Sequence, residues 1–124
     1  MVLVDTSVWV RHLRADDAVL KHLLNHGQVV CHPYIIGELA CSTIKNRREI
    51  LSLMQALPQA TLAQHEEVLW FIKVNHLMGR GLGYVDVHLC ASALLTRVLM
   101  WSYDKRLSEA NEMLGIKCDP LLFR

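Results

Sequence analysis

Four carboxylates carry the chemistry open to this sequence. Asp5 closes the apolar run Val2-Leu3-Val4 and is followed at once by Thr6-Ser7-Val8-Trp9, and Glu38, Asp86 and Asp104 stand in similarly apolar surroundings. A carboxylate taken out of water is unfavourable unless a proton, a cation or several donors compensate it. Acids at core-facing positions therefore point to one buried acidic site, and a divalent metal is the simplest compensation. Oxygen donors of this kind suit Mg²⁺ or Mn²⁺, which accept few protein carboxylates, keep several waters and engage phosphate oxygens. Such an ion lowers the pKa of a bound water and neutralises charge on a phosphodiester, and two ions about 3.5 to 4 Å apart stabilise both attacking and leaving oxygens. Phosphoryl chemistry is the expectation, with one ion or two left open.

The elements that must position these acids follow from apolar spacing and turn residues. Residues 2–5 read as a short buried strand, and Thr6 or Ser7 as the cap of a helix to about Arg14. Asp16 is read as the cap of a second helix ending at Gly27, after which Val29-Val30-Cys31 returns as a strand. Pro33 suits the first turn of a helix to about Ser42, and a further helix runs from about 46 to 57, before Pro58. Residues 60–62 suggest a short third strand. Val68, Leu69, Ile72 and Leu77 are spaced for a helix over 65–77, stopped by the glycine-rich loop 78–83. Residues 84–97 read as a mostly buried helix, 98–102 as a core strand, 104–114 as a helix and 116–118 as an edge strand.

Strands alternating with helices predict an α/β fold, a three-layer α/β/α sandwich around a largely parallel sheet. Ligands in such folds gather beyond the carboxyl ends of the strands. Asp5 and Asp104 reach the same rim if the first strand and the 98–102 strand are neighbours. Residues three and four apart share a helix face, so Glu38 aligns with Tyr34, Ile35, Cys41 and Ser42, and Asp86 with Leu82, Gly83, Leu89 and Cys90. Each acid also has an ordinary use. Asp86 suits a first helical turn, Asp104 a helix cap, and Glu38 a solvent-facing helical position. The conjunction of four carries the metal-site reading.

The 124 residues, 52% hydrophobic and 20% charged, fit one domain spanning 1–124. A formal net charge of +1 neither demands nor excludes nucleic acid. No stretch approaches the roughly 20 apolar residues of a membrane span, so the expected location is the cytoplasm, with no membrane partner. Cys31, Cys41, Cys90 and Cys118 are scattered among aliphatic residues, which favours free packing cysteines over a disulfide framework or zinc site. His22 and His26 form an i, i+4 pair without a third convergent ligand, and are read as surface. Trp9, Trp70 and Trp101 each lie in an apolar run and are read as core or subunit interface.

Four segments taken together resemble a known family: Val2-Leu3-Val4-Asp5-Thr6-Ser7-Val8-Trp9, Gly37-Glu38-Leu39-Ala40, Gly83-Tyr84-Val85-Asp86-Val87-His88-Leu89 and Trp101-Ser102-Tyr103-Asp104-Lys105-Arg106-Leu107. In this order and in a chain of this length they are similar to a PIN-domain ribonuclease of the VapC toxin type. The resemblance implies a Mg²⁺-dependent endoribonuclease, with Mn²⁺ able to substitute, that hydrolyses RNA phosphodiesters with a metal-activated water. It also implies the toxin of a type II toxin–antitoxin pair, inhibited by a cognate VapB-like antitoxin and forming a homodimer. Carried over by position, Asp5, Glu38, Asp86 and Asp104 match the family's catalytic and metal-holding acids. Asp5 and Asp86 are the direct ligands, and Glu38 and Asp104 act partly through water. Relatives often have threonine two residues before the last acid; here Ser102 keeps the hydroxyl and loses the methyl. Ser7 is a second hydroxyl placed to orient a ligand.

RNA must be drawn to a negative site, so Arg47, Arg48, Arg80, Lys105 and Arg106 are candidate phosphate contacts, weighed against the solubilising role of exposed bases. The helices over 16–25 and 46–57 carry apolar stripes that suit an antitoxin groove, a dimer seam or packing on the sheet. Two other enzymes fit less well. A haloacid-dehalogenase-like phosphatase wants a second aspartate two positions after the first, where this chain has Ser7, and a phospho-receiver domain wants a lysine ending a late strand. From another class, a catalytically idle interaction protein would use the acid pocket only to receive a partner's arginine.

Overall fold

Strand β1 (Val2–Val4) is short enough for one apolar run to fill it, and all three side chains are buried, so it must lie between other strands. The computed structural model describes residues 1–123. From β1 the chain enters helix α1 (Thr6–Ala15), helix α2 (Ala18–Asn25) and strand β2 (Val29–Val30). It continues through α3 (Pro33–Ala40), α4 (Arg47–Ala56), α5 (His65–Val74) and α6 (Tyr84–Thr96) to strand β3 (Leu99–Trp101). Helix α7 (Lys105–Met113) and a 3₁₀ turn (Pro120–Phe123) complete it.

The sheet order is β2-β1-β3, with both pairings parallel. Val2 pairs with Val29 on one side and with Leu99 on the other, and Val4 pairs with Trp101. The chain thus winds away from β1 to β2 and then back past β1 to β3. Crossovers between parallel strands are right-handed almost without exception, so reversing the winding direction puts the two sets of helices on opposite faces. The result is the three-layer α/β/α sandwich. Its switch of direction falls between β1 and β3, where open α/β sheets leave a crevice beyond the strand ends.

The core gathers the three strands with Val8, Trp9, Leu20, Leu23, Ile35, Leu39, Met54, Leu89 and Leu107. A smaller cluster of Ala63, Val68, Leu77, Val87 and Ala91 joins α5 to α6. Helix α6 is buried at every position from Val87 to Ala93, which is why its sequence lacks a polar face. Among the described residues no helix is long and apolar enough to cross a membrane.

Several local expectations are corrected. The strand expected over 60–62 is a single parallel bridge from Gln59 to Cys31, and Leu62 is exposed. The edge strand expected over 116–118 is likewise one bridge, Lys117 to Met100, although Ile116 and Cys118 are buried around it. Both segments extend the sheet by two backbone hydrogen bonds only, too few to form strands. Asp16 does not cap α2. Its backbone is at φ +47, closing α1, whereas the extended Asp17 accepts from the N–H groups of Val19 and Leu20 at 3.0 Å each. Thr6 and Ser7 lie inside α1 and are not its cap. The apolar stripes of α2 and α4 are spent largely on the core, through Leu20, Leu23 and Met54. Of the tryptophans, Trp9 and Trp101 are buried and Trp70 is exposed; of the free cysteines, Cys41 is exposed.

Asp17 ties α2 to the far end of the sheet, because Tyr103 donates its phenol to the second carboxylate oxygen. Burial works against the charge of Asp17, but Tyr103, the two backbone donors and the nearby Arg11 outweigh it and hold its pKa below the ordinary value. Asp17→Ala is expected to cost about 1–2 kcal/mol in urea unfolding at neutral pH. The folded carboxyl holds its proton more weakly than the unfolded one. Its contribution is therefore complete above about pH 4 and is lost as the pH falls through the lower folded value. The difference between wild type and variant should shrink over that acid range, and a difference independent of pH would contradict this account.

Candidate functional site

The acids arrive from four elements. Asp5 directly follows β1, Glu38 lies in α3, Asp86 in the first turn of α6, and Asp104 precedes α7 just beyond β3. β1 and β3 are paired neighbours, so the condition for Asp5 and Asp104 to share a rim is met, and the Asp5 N–H donates to the Trp101 carbonyl at 2.9 Å.

Asp5 is buried, and its charge is met by two hydroxyls. Ser7 and Ser102 both donate to Asp5 Oδ2 at 2.8 Å. Each serine in turn accepts a backbone N–H from the exit of β3: Tyr103 to Ser7 at 3.0 Å and Asp104 to Ser102 at 2.9 Å. The other acids are fixed by local chemistry. Thr6 Oγ1 donates to Glu38 Oε1 at 3.1 Å, the Gly83 N–H to Asp86 Oδ2 at 3.0 Å, and the Leu107 N–H to Asp104 Oδ1 at 3.0 Å. The last two are helix-start contacts, so Asp86 and Asp104 do serve α6 and α7 in the ordinary way expected of them. In all four carboxylates one oxygen is anchored. Among the described residues the other oxygen makes no hydrogen bond.

The side chains feel one another. Burial raises the pKa of Glu38 despite its bond from Thr6, and the charges of Asp5 and Asp86 raise it further. Burial likewise raises Asp86 against the Gly83 hydrogen bond, with Asp5 and Asp104 adding to it. Cys90, one turn along α6, has its thiol pushed up to about 12 by burial and then by Asp86 and Asp5. Asp86 is thus in electrostatic reach of all three other acids. The expectation of a wholly buried site is corrected: Asp5 is buried and Asp86 half-buried, while Glu38 and Asp104 are exposed at the rim.

Among the described residues, no three His, Cys, Asp or Glu side chains stand close enough together to hold a metal ion between them. The donor set nonetheless suits a hard divalent cation. Asp86 is electrostatically coupled to the other three acids, and among the described residues each of the four has one oxygen without a hydrogen-bond partner. An open arrangement fits Mg²⁺, which is held by few carboxylates and keeps much of its water.

The basic residues are placed unequally. Arg47 is spent on the Ala40 carbonyl at 2.8 Å and Arg80 on the His76 carbonyl at 2.9 Å. Arg48 and Lys105 are exposed, and Arg106 lies against Gly81. The Thr6 hydroxyl, expected as a helix cap, is bonded to Glu38 instead; hydroxyls in the first turn of a helix suit both uses. His88 packs against two tyrosines, tilted on Tyr34 with centroids 4.6 Å apart and edge-on to Tyr84 at 5.6 Å.

Residues 2–113 match the PIN domain family. The chain is 46% identical over 117 residues to a protein named Ribonuclease VapC32 from Mycobacterium tuberculosis, found in strains CDC 1551 / Oshkosh and ATCC 25618 / H37Rv. The alignment covers 94% of this chain and 94% of each relative.

Glu38 and Asp86 bind protons more tightly folded than unfolded. The stability this brings is fully present below the unfolded carboxyl values near about 4, and it is lost as the pH rises through the higher folded values. Glu38→Gln keeps an acceptor for Thr6 and removes the charge. In chelator-containing buffer at neutral pH it should melt above wild type, with the gap closing on acidification. A variant that melts at or below wild type at neutral pH would show that repulsion among these acids is not a cost to the fold.

Proposed function

The chain belongs to the PIN domain family, and from that premise we propose that it is a Mg²⁺-dependent endoribonuclease, the toxin of a type II toxin–antitoxin pair. The observation that carries this reading is the shared region of four carboxylates, each anchored through one oxygen with the other left free. An idle interaction protein would have no need of hydroxyls orienting Asp5 and Glu38 so closely.

Asp5 and Asp86 would hold the ion directly and Glu38 and Asp104 partly through water; Mg²⁺ or Mn²⁺ bound there would supply charge neutralisation at the phosphodiester and a more acidic water. Ser7 and Ser102 keep Asp5 in one orientation at the centre of the site. The start of α6 adds its positive dipole end behind Asp86, which favours the charged carboxylate. Glu38, whose pKa is raised by burial and by the neighbouring Asp5 and Asp86, accepts a proton from the attacking water at the oxygen Thr6 leaves free. Attack is in line, and the products end in 5′-phosphate and 3′-hydroxyl.

A cognate VapB-like antitoxin is the proposed inhibitor, a homodimer the proposed assembly and the cytoplasm the proposed location. Among the described residues, one apolar surface that could meet a partner is Trp70, 66% exposed, in a groove it shares with Leu94 and Leu95, and Leu53 of α4 is exposed as well.

Asp5→Asn and Asp86→Asn should each lower RNA cleavage about 100-fold or more, and a chelator should abolish it, measured on end-labelled RNA with Mg²⁺ restored as control. Wild-type rates in both variants, or products carrying a 2′,3′-cyclic phosphate, would overturn the assignment.

A further inference from the structure

Gly81 sits in the loop that leads into α6, two residues before the Gly83 N–H that holds Asp86. Its backbone is at φ +76, and the position a Cβ would take lies 2.5 Å from Arg106 Nη1 and 2.9 Å from Arg106 Cδ and Cζ. No side chain other than hydrogen leaves this space open, and the guanidinium of Arg106 fills it. Arg106 stands in the first turn of α7, two residues after Asp104. One cation therefore spans the loop that fixes Asp86 and the helix that fixes Asp104.

Among the described residues Arg106 makes no ion pair and donates no hydrogen bond, in contrast to Arg47 and Arg80, whose guanidinium groups are already bound to carbonyls. An unpaired guanidinium at the edge of an acidic site keeps its donors for a ligand. A planar fork matches the two free oxygens of a phosphodiester. Resting on the nuclease reading above, we propose that Arg106 is the residue that clamps an RNA phosphate beside the acids, and that Gly81 is its seat.

The loop supplies its own control. Gly79 has φ +73, and nothing lies within 4 Å of where its Cβ would be. Gly79→Ala carries the same backbone strain as Gly81→Ala without displacing Arg106. Binding of a single-stranded RNA oligonucleotide would be followed by fluorescence anisotropy over a range of salt concentrations, in an Asp5→Asn background that prevents cleavage. Arg106→Ala should weaken binding about tenfold and lower the slope of log affinity against log salt by about 0.7. Gly81→Ala should act in the same direction, Gly79→Ala should bind like the parent, and the Gly81→Ala, Arg106→Ala double variant should bind no more weakly than Arg106→Ala alone. Should Gly81→Ala fail to fold, Arg106→Lys decides: it should keep the salt slope and lose affinity with the fork. Parental binding by Arg106→Ala, equal losses in the two glycine variants, or additive losses in the double variant would overturn the proposal. Absence of RNA cleavage by the wild-type protein with Mg²⁺ would instead overturn the nuclease reading beneath it.

Discussion

One oxygen of Asp5 receives two hydroxyl protons, from Ser7 at two residues' distance and from Ser102 at ninety-seven, each at 2.8 Å. Hydrogen bonds to a charged group contribute about 1.5–3 kcal/mol each, enough to make a buried carboxylate tolerable where an unpaired one is not. Both serines also accept a backbone N–H from the exit of β3. Two of these four hydrogen bonds, Ser102 to Asp5 and the Tyr103 N–H to Ser7, join the ends of β1 and β3, while the two hydroxyl bonds aim the central acid. Breaking them would disturb the sheet and the site together.

The remaining acids are secured by a similar economy. Asp86 and Asp104 cap backbone N–H groups at the starts of α6 and α7, and Glu38 is tied to α1 through Thr6. Each anchor uses one oxygen and orients the other. The cost appears as electrostatics, since burial and mutual repulsion raise the pKa of Glu38 and Asp86 in the folded state. Under the proposed function, a bound cation would offset that cost.

Topology explains why the acids meet at this edge. The order β2-β1-β3 reverses the winding direction between β1 and β3, and the chain leaves both strands on the same side of the sheet. Helix α6 is buried along most of its length and begins at the same rim, so its first turn brings Asp86 and the glycine loop against α7. Bases that serve the scaffold, such as Arg47 on the end of α3, are distinguished from Arg106 by what their guanidinium groups already touch.

The sequence by itself determined the fold class and the strands β1 and β3 and pointed to the four acids, because each rests on a local signal: an apolar run, a helical spacing, an acid where water is scarce. It misassigned what depends on choosing between two neighbours or two uses of one group. Asp16 and Asp17 differ only in backbone conformation, which decides the cap. The Thr6 and Ser7 hydroxyls suit a helix end or a nearby carboxylate equally, and only the approach of α3 and β3 settles the choice. The segments at 59 and 117 make one bridge apiece, and apolar composition does not reveal how many backbone hydrogen bonds a segment forms. Trp70, Cys41 and the stripes of α2 and α4 were open for the same reason, since periodicity marks an apolar face without saying whether another element covers it. The convergence of the carboxylates and the seating of Arg106 on Gly81 were decided by tertiary structure alone, because contacts between residues tens of positions apart exist only once the sheet has brought its strand ends together.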